Sequence, residues 1–184
     1  PVLETERLRL RPFAPPDAPG PDLVALYNDA YRPVFGAKHP WALGKPAREC
    51  WAEIWDSTLA PLFGSVFNSG ESFYAQDLPF FIDRHGYTEE TYFDVSYDPV
   101  RDESGGVGGI LCIVTETTGK VVSARRMRAL RDVSARTAEA QTIEDVFFLA
   151  AQTLDDYQQD LPFALFYVMD DESGTARLVS STGL

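Results

Sequence analysis

From Glu71 onward the apolar and polar positions fall into a period of two. Residues 71–82 are aromatic and apolar, with Phe73, Tyr74, Phe80 and Phe81. Residues 87–97 alternate strictly, with Thr91, Phe93, Val95 and Tyr97 on one face and Glu90, Tyr92, Asp94 and Ser96 on the other. Such alternation predicts a half-buried strand, and Arg84-His85-Gly86 predicts the hairpin tip between the two. Asp102-Glu103-Ser104-Gly105-Gly106 predicts a second turn, because glycine tolerates positive φ. Val107 to Thr115 is nearly all apolar, the pattern of a central or doubly covered strand. A helix is expected from Thr118. The stretch from Asp98 to Thr118 therefore reads as strand end, glycine turn, buried strand and exit into a helix.

Before Glu71 the pattern is shorter and more broken. Residues 7–11 alternate arginine with leucine, as in a half-buried strand, and the prolines at 12, 15, 16, 19 and 21 then impose a stiff loop. Leu23 to Tyr27 suits a short strand, with Asn28 as a helix cap. Short helical pieces are expected over 30–35, stopped by Gly36, and over 39–43, stopped by Gly44. Pro46 suits a first helical position. Ala47, Cys50, Trp51 and Ile54 then recur at helical spacing, and a longer helix is expected over 59–67, closing at Gly70.

After the exit helix, Leu130, Val133, Thr137 and Ala140 are spaced as in a short coiled-coil stripe. Thr142 and Asp145 form a capping-box pattern. Ile143, Val146, Phe147, Ala150 and Leu154 make one apolar stripe. Residues 162–169 and 177–180 predict two strands around a turn at 170–174. This αββ unit reads as the beginning of a second, truncated domain.

Composition narrows the function. Among 184 residues, 45% are hydrophobic and the net charge is −12, which fits a packed protein and disfavours nonspecific nucleic-acid binding. Charge is unevenly placed: residues 120–136 carry six basic side chains and one acid. A basic helix thus stands between acidic bodies. No apolar run approaches the ~20 residues of a membrane span, and a cytoplasmic location is expected. Two cysteines, Cys50 and Cys112, make no disulfide framework.

Catalytic chemistry finds little footing. His39 and His85 are dispersed and hold no metal by themselves. Asp83 with His85, and Asp94 with Asp98, are the only close pairs suited to acid–base work. No serine lies in a nucleophile elbow. The chain is therefore expected not to be an enzyme. Trp41, Trp51, Trp55, Phe63 and Phe67 are expected to be core in the main, and Cys50 a buried thiol.

The order of elements and several motifs resemble the PAS sensor domains of bacteria. LYNDAYRPVFGAKHPWALGKPARECWAEIWD (26–56) resembles their start, and YFDVSYDPVRDESGGVGGILCIVTETT (92–118) their last hairpin. Glu116 and Thr118 match the acidic and Thr positions of the Asp-x-Thr signature that ends many PAS cores, with Glu in place of Asp. LPFALFYVMDDESGTARLVSSTGL (161–184) resembles the first strands of a GAF domain. LETERLRLRPFAPPDA (3–18) resembles the opening strand of a GNAT acetyltransferase. That family's phosphate-cradling loop has no counterpart here, since Gly105 to Gly109 sits in a hairpin rather than at a helix N-terminus.

The resemblance implies an α+β chain. Residues 1–21 would be an N-terminal strand and loop. Residues 22–118 would be a PAS domain with a five-stranded antiparallel sheet flanked by short helices. Residues 119–141 would be a linker helix, and 142–184 a partial GAF domain. It implies a sensory module of a signal-transduction protein such as a histidine kinase. A small ligand would sit in an apolar pocket bordered by Phe63, Phe67, Phe93 and Val95. Glu116 and Thr118 would form the signal junction, and the linker helix would pair in a homodimer. No cofactor is identified. Flavin is disfavoured because Glu49-Cys50-Trp51-Ala52 lacks the reactive-cysteine pattern, and haem because 56–70 holds no histidine. The alternatives are a dimerisation scaffold without ligand and, more remotely, an acetyltransferase fragment.

Overall fold

The computed structural model describes residues 23–170 and 174–184. The expected strand at 7–11, the proline loop and the acetyltransferase-like opening lie outside the described residues. The chain divides into two units, one ending at Thr118 and one spanning 119–184.

In the first unit the period-two segments form a hairpin pair as expected: β1 (Phe73–Asp83), β2 (Thr88–Arg101) and β3 (Val107–Glu116) pair antiparallel in the order β1-β2-β3. The alternation on β2 sets the register. Thr91, Phe93, Val95 and Tyr97 are buried, while Tyr92, Asp94 and Ser96 on the other face are half-buried. Each large apolar side chain so buried contributes roughly 1.5–3 kcal/mol. Thr91 is tolerated at zero exposure because its hydroxyl donates to the Phe80 carbonyl at 2.9 Å.

The short helices cover that inner face. They are α1 (Arg32–Phe35), α2 (Ala47–Cys50) and α3 (Ala60–Ser69), with a π-helical segment over Trp55–Leu59 leading into α3. Gly70 closes α3 in the left-handed conformation, with φ +67°. Gly36 ends α1 with φ +54°, and a Cβ there would meet the Arg84 carbonyl at 2.5 Å. That close approach lets the Ala37 N–H reach the same carbonyl at 2.8 Å, tying the helical layer to the β1–β2 tip. The core includes Phe35, Trp51, Ile54, Trp55, Phe63 and Val66 from this layer.

Several local expectations change. Residues 39–43 are turns around a cis His39–Pro40 bond rather than a helix. Asn28 makes no side-chain cap. Leu23–Tyr27 is extended but joins no sheet; it meets Lys45–Ala47 through Ala25 N–H to Lys45 O (2.8 Å) and Ala47 N–H to Leu23 O (2.6 Å). Trp41 is half exposed rather than core. The central strand is β2, because β1 and β3 both pair with it. β3 has no second strand neighbour among the described residues, and Leu111, Cys112 and Ile113 are exposed.

The second unit holds α4 (Thr118–Thr137, which opens on the last residue of the first unit), α5 (Ile143–Leu154), β4 (Ala164–Asp170) and β5 (Thr175–Thr182). The two strands form their own antiparallel sheet. The capping box is present: Asp145 N–H donates to Thr142 Oγ1 at 3.1 Å, and Thr142 N–H to Asp145 Oδ2 at 3.0 Å. Val146, Phe147, Ala150 and Leu154 turn inward, but Ile143 is exposed because it is the first residue of the helix. The expected stripe on α4 is cut short: the helix ends at Thr137, before Ala140, and Leu130 is exposed. No described helix is long and apolar enough to cross a membrane.

Candidate functional site

The inner face of the sheet and the helices over it do not fill the interior of the first unit. A cavity of about 50 Å³, measured for the centres of water-sized spheres, lies between them, several times the ~10–15 Å³ that one water needs. The helical side contributes Tyr31, Val34, Trp51, Ile54, Leu59 and Phe63, and the sheet contributes Phe80, Ile82, Phe93, Val95, Tyr97, Cys112 and Val114. Three of the residues expected to border a pocket, Phe63, Phe93 and Val95, line it. Phe67 does not. The buried stripe of α3 runs through Ala60, Phe63 and Val66, which leaves Phe67 half-buried to one side.

The lining is rigid because its aromatic rings pack on one another. Phe35 stacks on Trp51 with ring centres 4.7 Å apart. Phe63 meets Tyr97 edge-on at 5.1 Å and Trp55 at 6.0 Å. Lys38 lies 4.5 Å over the Trp51 ring and bonds Glu53, covering the outer side of that indole. Tyr31, Tyr97 and Cys112 were not expected at a pocket. The sequence signal existed for Tyr97, which closes the alternating face of β2. Cys112 follows from Tyr97 by register, since the two are cross-strand partners. Burial raises both phenols above their ordinary range and pushes the Cys112 thiol up to about 12. As a whole residue Cys112 is exposed, so it stands where the cavity meets the surface.

A second constellation lies where β3 becomes α4. Glu116 and Thr118, expected together at this junction, are joined by a hydrogen bond from Thr118 Oγ1 to Glu116 Oε1 at 2.9 Å. Arg84 from the hairpin tip grips Glu116 with both terminal nitrogens, each at 2.9 Å, and bonds Glu89 through Nε at 3.0 Å. A bidentate pair of this kind fixes both partners in one plane. Its planarity and 12% side-chain exposure at Arg84 make it more than a surface ion pair. Arg84 holds the Glu116 carboxyl below its ordinary range, against the opposing effect of burial and with help from Thr118.

The backbone explains the Thr. Phe93 and Glu116 are the last paired residues of β2 and β3. One step further, Thr117 N–H still donates to Tyr92 O at 2.8 Å, and the Tyr92 N–H donates to the Thr118 hydroxyl at 3.0 Å. The hydroxyl thus stands in for the ladder carbonyl that the chain removes as it turns into the helix. Glu116 also places negative charge near the N-terminus of α4, where the helix dipole favours it. Sequence reading identified Glu116 and Thr118 but not Arg84, which is distant in the chain and looked like an ordinary turn residue.

The pairs suited to acid–base work are structural acceptors instead. Asp83 takes the Gly86 N–H at 3.0 Å and shapes the turn, and His85 is half exposed. Asp94 accepts the Asp77 N–H at 2.8 Å. Asp98 accepts from Ser72 at 2.5 Å and Ser96 at 2.8 Å, which lowers its carboxyl. His39 Nδ1 is bonded to the Tyr27 hydroxyl at 2.9 Å, and the buried Cys50 thiol contacts Ala42 O at 3.5 Å. Among the described residues no cluster of His, Cys, Asp and Glu is arranged to hold a metal. The chain matches no family model, and no curated protein matches it.

Proposed function

We propose that the first unit is a PAS-type sensory module, with β1–β3 as the contiguous part of a five-stranded sheet. It would serve a bacterial signal-transduction protein such as a histidine kinase and bind a small molecule in its cavity. The observation that carries this reading is the clasp of Arg84, Glu116, Thr118 and Tyr92 at the point where sheet becomes helix. A linkage of this kind is what a sheet needs to govern the start of an output helix. Cys112 and Val114 line the cavity, and Glu116 follows on the same face of β3, two residues beyond Val114. Occupancy of the cavity therefore acts on the strand that ends in the clasp.

The mechanism is a shift between two populations, clasp closed and clasp open. A ligand moves that balance only by its difference in affinity for the two states. The chain itself carries no catalysis on this reading, and it works in the cytoplasm beside an output domain. Hydrogen exchange over the first turns of α4, measured with and without benzene as a cavity filler, tests it. Benzene should change protection there in the parent chain and leave it unchanged in Thr118→Ala and Arg84→Ala, both still folded by circular dichroism. Equal responses in parent and variants would remove the junction from the mechanism.

A second reading, a dimerisation scaffold with no ligand, is favoured by Met127 and Leu130. They lie three residues apart on α4 and are 65% and 63% exposed. Sedimentation of Met127→Lys/Leu130→Lys against the parent distinguishes the two. Loss of a dimer together with no binding of any cavity filler supports the scaffold.

A further inference from the structure

The cavity is not uniformly apolar, and its polar end restricts what it can hold. This inference rests on the ligand-binding reading above. Tyr97 is 4% exposed and its ring is held between Phe63 and Phe73, with ring centres at 5.1 and 5.9 Å. Tyr31 is held by Phe35 at 5.3 Å. Cys112 is the cross-strand partner of Tyr97, and Tyr31, Tyr97 and Cys112 are near enough to act on one another electrostatically. Neither phenol hydroxyl makes a hydrogen bond to another described residue, although both rings line the cavity. A buried hydroxyl without a partner calls for an acceptor from outside the chain.

We propose that Tyr31 and Tyr97 form a donor pair at one end of the cavity, which selects a neutral, flat, single-ring molecule carrying one hydrogen-bond acceptor such as a ketone carbonyl. The aromatic wall of Trp51, Phe63 and Phe93 takes the ring, and the hydroxyls take the carbonyl oxygen. Burial keeps both phenols and the thiol protonated at neutral pH, so that end of the cavity donates rather than accepts. No lining residue is charged. A carboxylate would enter without a counter-charge and at a desolvation cost that excludes it. The rings are fixed by their packing before any ligand arrives, which limits the entropy lost on binding.

Three probes of matched shape test this on the full chain: acetophenone, cumene, which lacks the acceptor, and benzoate, which is charged. Titration calorimetry should show acetophenone and cumene binding, and benzoate failing at concentrations where acetophenone saturates. Tyr97→Phe and Tyr31→Phe should each weaken acetophenone by roughly three- to tenfold, the worth of one neutral hydrogen bond, and leave cumene within about twofold. The carbonyl ¹³C resonance of labelled acetophenone should move downfield on binding, and less so in each variant. Benzoate binding as well as acetophenone, or equal losses for acetophenone and cumene in both variants, would overturn the donor pair while leaving a ligand-binding cavity. Failure of acetophenone and cumene alike would overturn the cavity reading and the donor pair together.

Discussion

The two units bury different kinds of residue. In the first, the buried set is large and aromatic, with Phe35, Trp51, Phe63, Phe93 and Tyr97 in one cluster. In the second, the buried residues are Ala129, Ala150, Ala151 and Thr182. Its large apolar side chains face outward instead: Phe148, Phe163, Tyr167 and Met169 are all more than half exposed. Polar clamps do much of the joining there. Asp160, at 7% side-chain exposure, is held by Arg125 and Arg126, and its carboxyl is lowered chiefly by Arg125. Tyr157 donates to Asp132 at 2.5 Å, and Thr182 to Asp155 at 2.6 Å. The first unit is thus set by packing with one polar clasp at its exit, and the second by directional polar contacts around small residues. Packing resists change through cavity costs, whereas clamps fail one partner at a time.

The sharpest way to break that contrast is to empty the first core. Phe93→Ala should cost about 3–5 kcal/mol in chemical denaturation followed by the near-ultraviolet signal of the aromatic core. A loss below about 1 kcal/mol would mean that the core is already loose. Next in size is the second unit's main clamp. Arg125→Met should cost about 2–3 kcal/mol because it strips Asp160 of its chief partner, and hydrogen exchange in α5 and β5 should rise with it. If Arg125→Met costs nothing, polar clamping is not what joins that unit.

The clasp can be read through pH. Arg84 depresses the folded pKa of Glu116, so its stabilisation is full above the ordinary Glu range and fades as pH falls through the depressed value. The stability gap between parent and Glu116→Gln, about 1–3 kcal/mol near neutrality, should therefore close below about pH 4. A gap that persists at low pH would assign the effect to packing. Thr142→Ala should cost about 1 kcal/mol, seen as fraying of α5 by amide exchange. The smallest effect belongs to the outward side chains of the second unit. Phe148→Ser should change stability by less than about 0.5 kcal/mol, measured by the same denaturation, whereas a large loss would show that this ring is covered.

Legibility followed the range of the interaction. Thr91, Phe93, Val95 and Tyr97 could be assigned to a buried face because the side-chain period of a strand is local. The capping box at Thr142 and Asp145 was readable for the same reason, since its two bonds span three residues. The failures lie where distant segments decide. The apolar run of β3 promised a covered strand, yet the described partners cover only one edge, so Leu111 and Ile113 are exposed. Phe67 and Val66 are adjacent in sequence and equally apolar, and only the angle at which α3 meets the sheet puts Val66 in the core. Arg84 gave no signal because its partner, Glu116, is 32 residues away.

By itself, then, the chain determined its period-two faces, its glycine turns, the end of α3 at Gly70 and the pairing of Glu116 with Thr118 at the exit. These rest on backbone conformations and on contacts a few residues apart. Tertiary structure alone decided that the aromatic layers would leave a cavity with two phenols at one end. It also decided that a hairpin-tip arginine would close the clasp. Both depend on register and on the angles between layers, which local pattern does not encode.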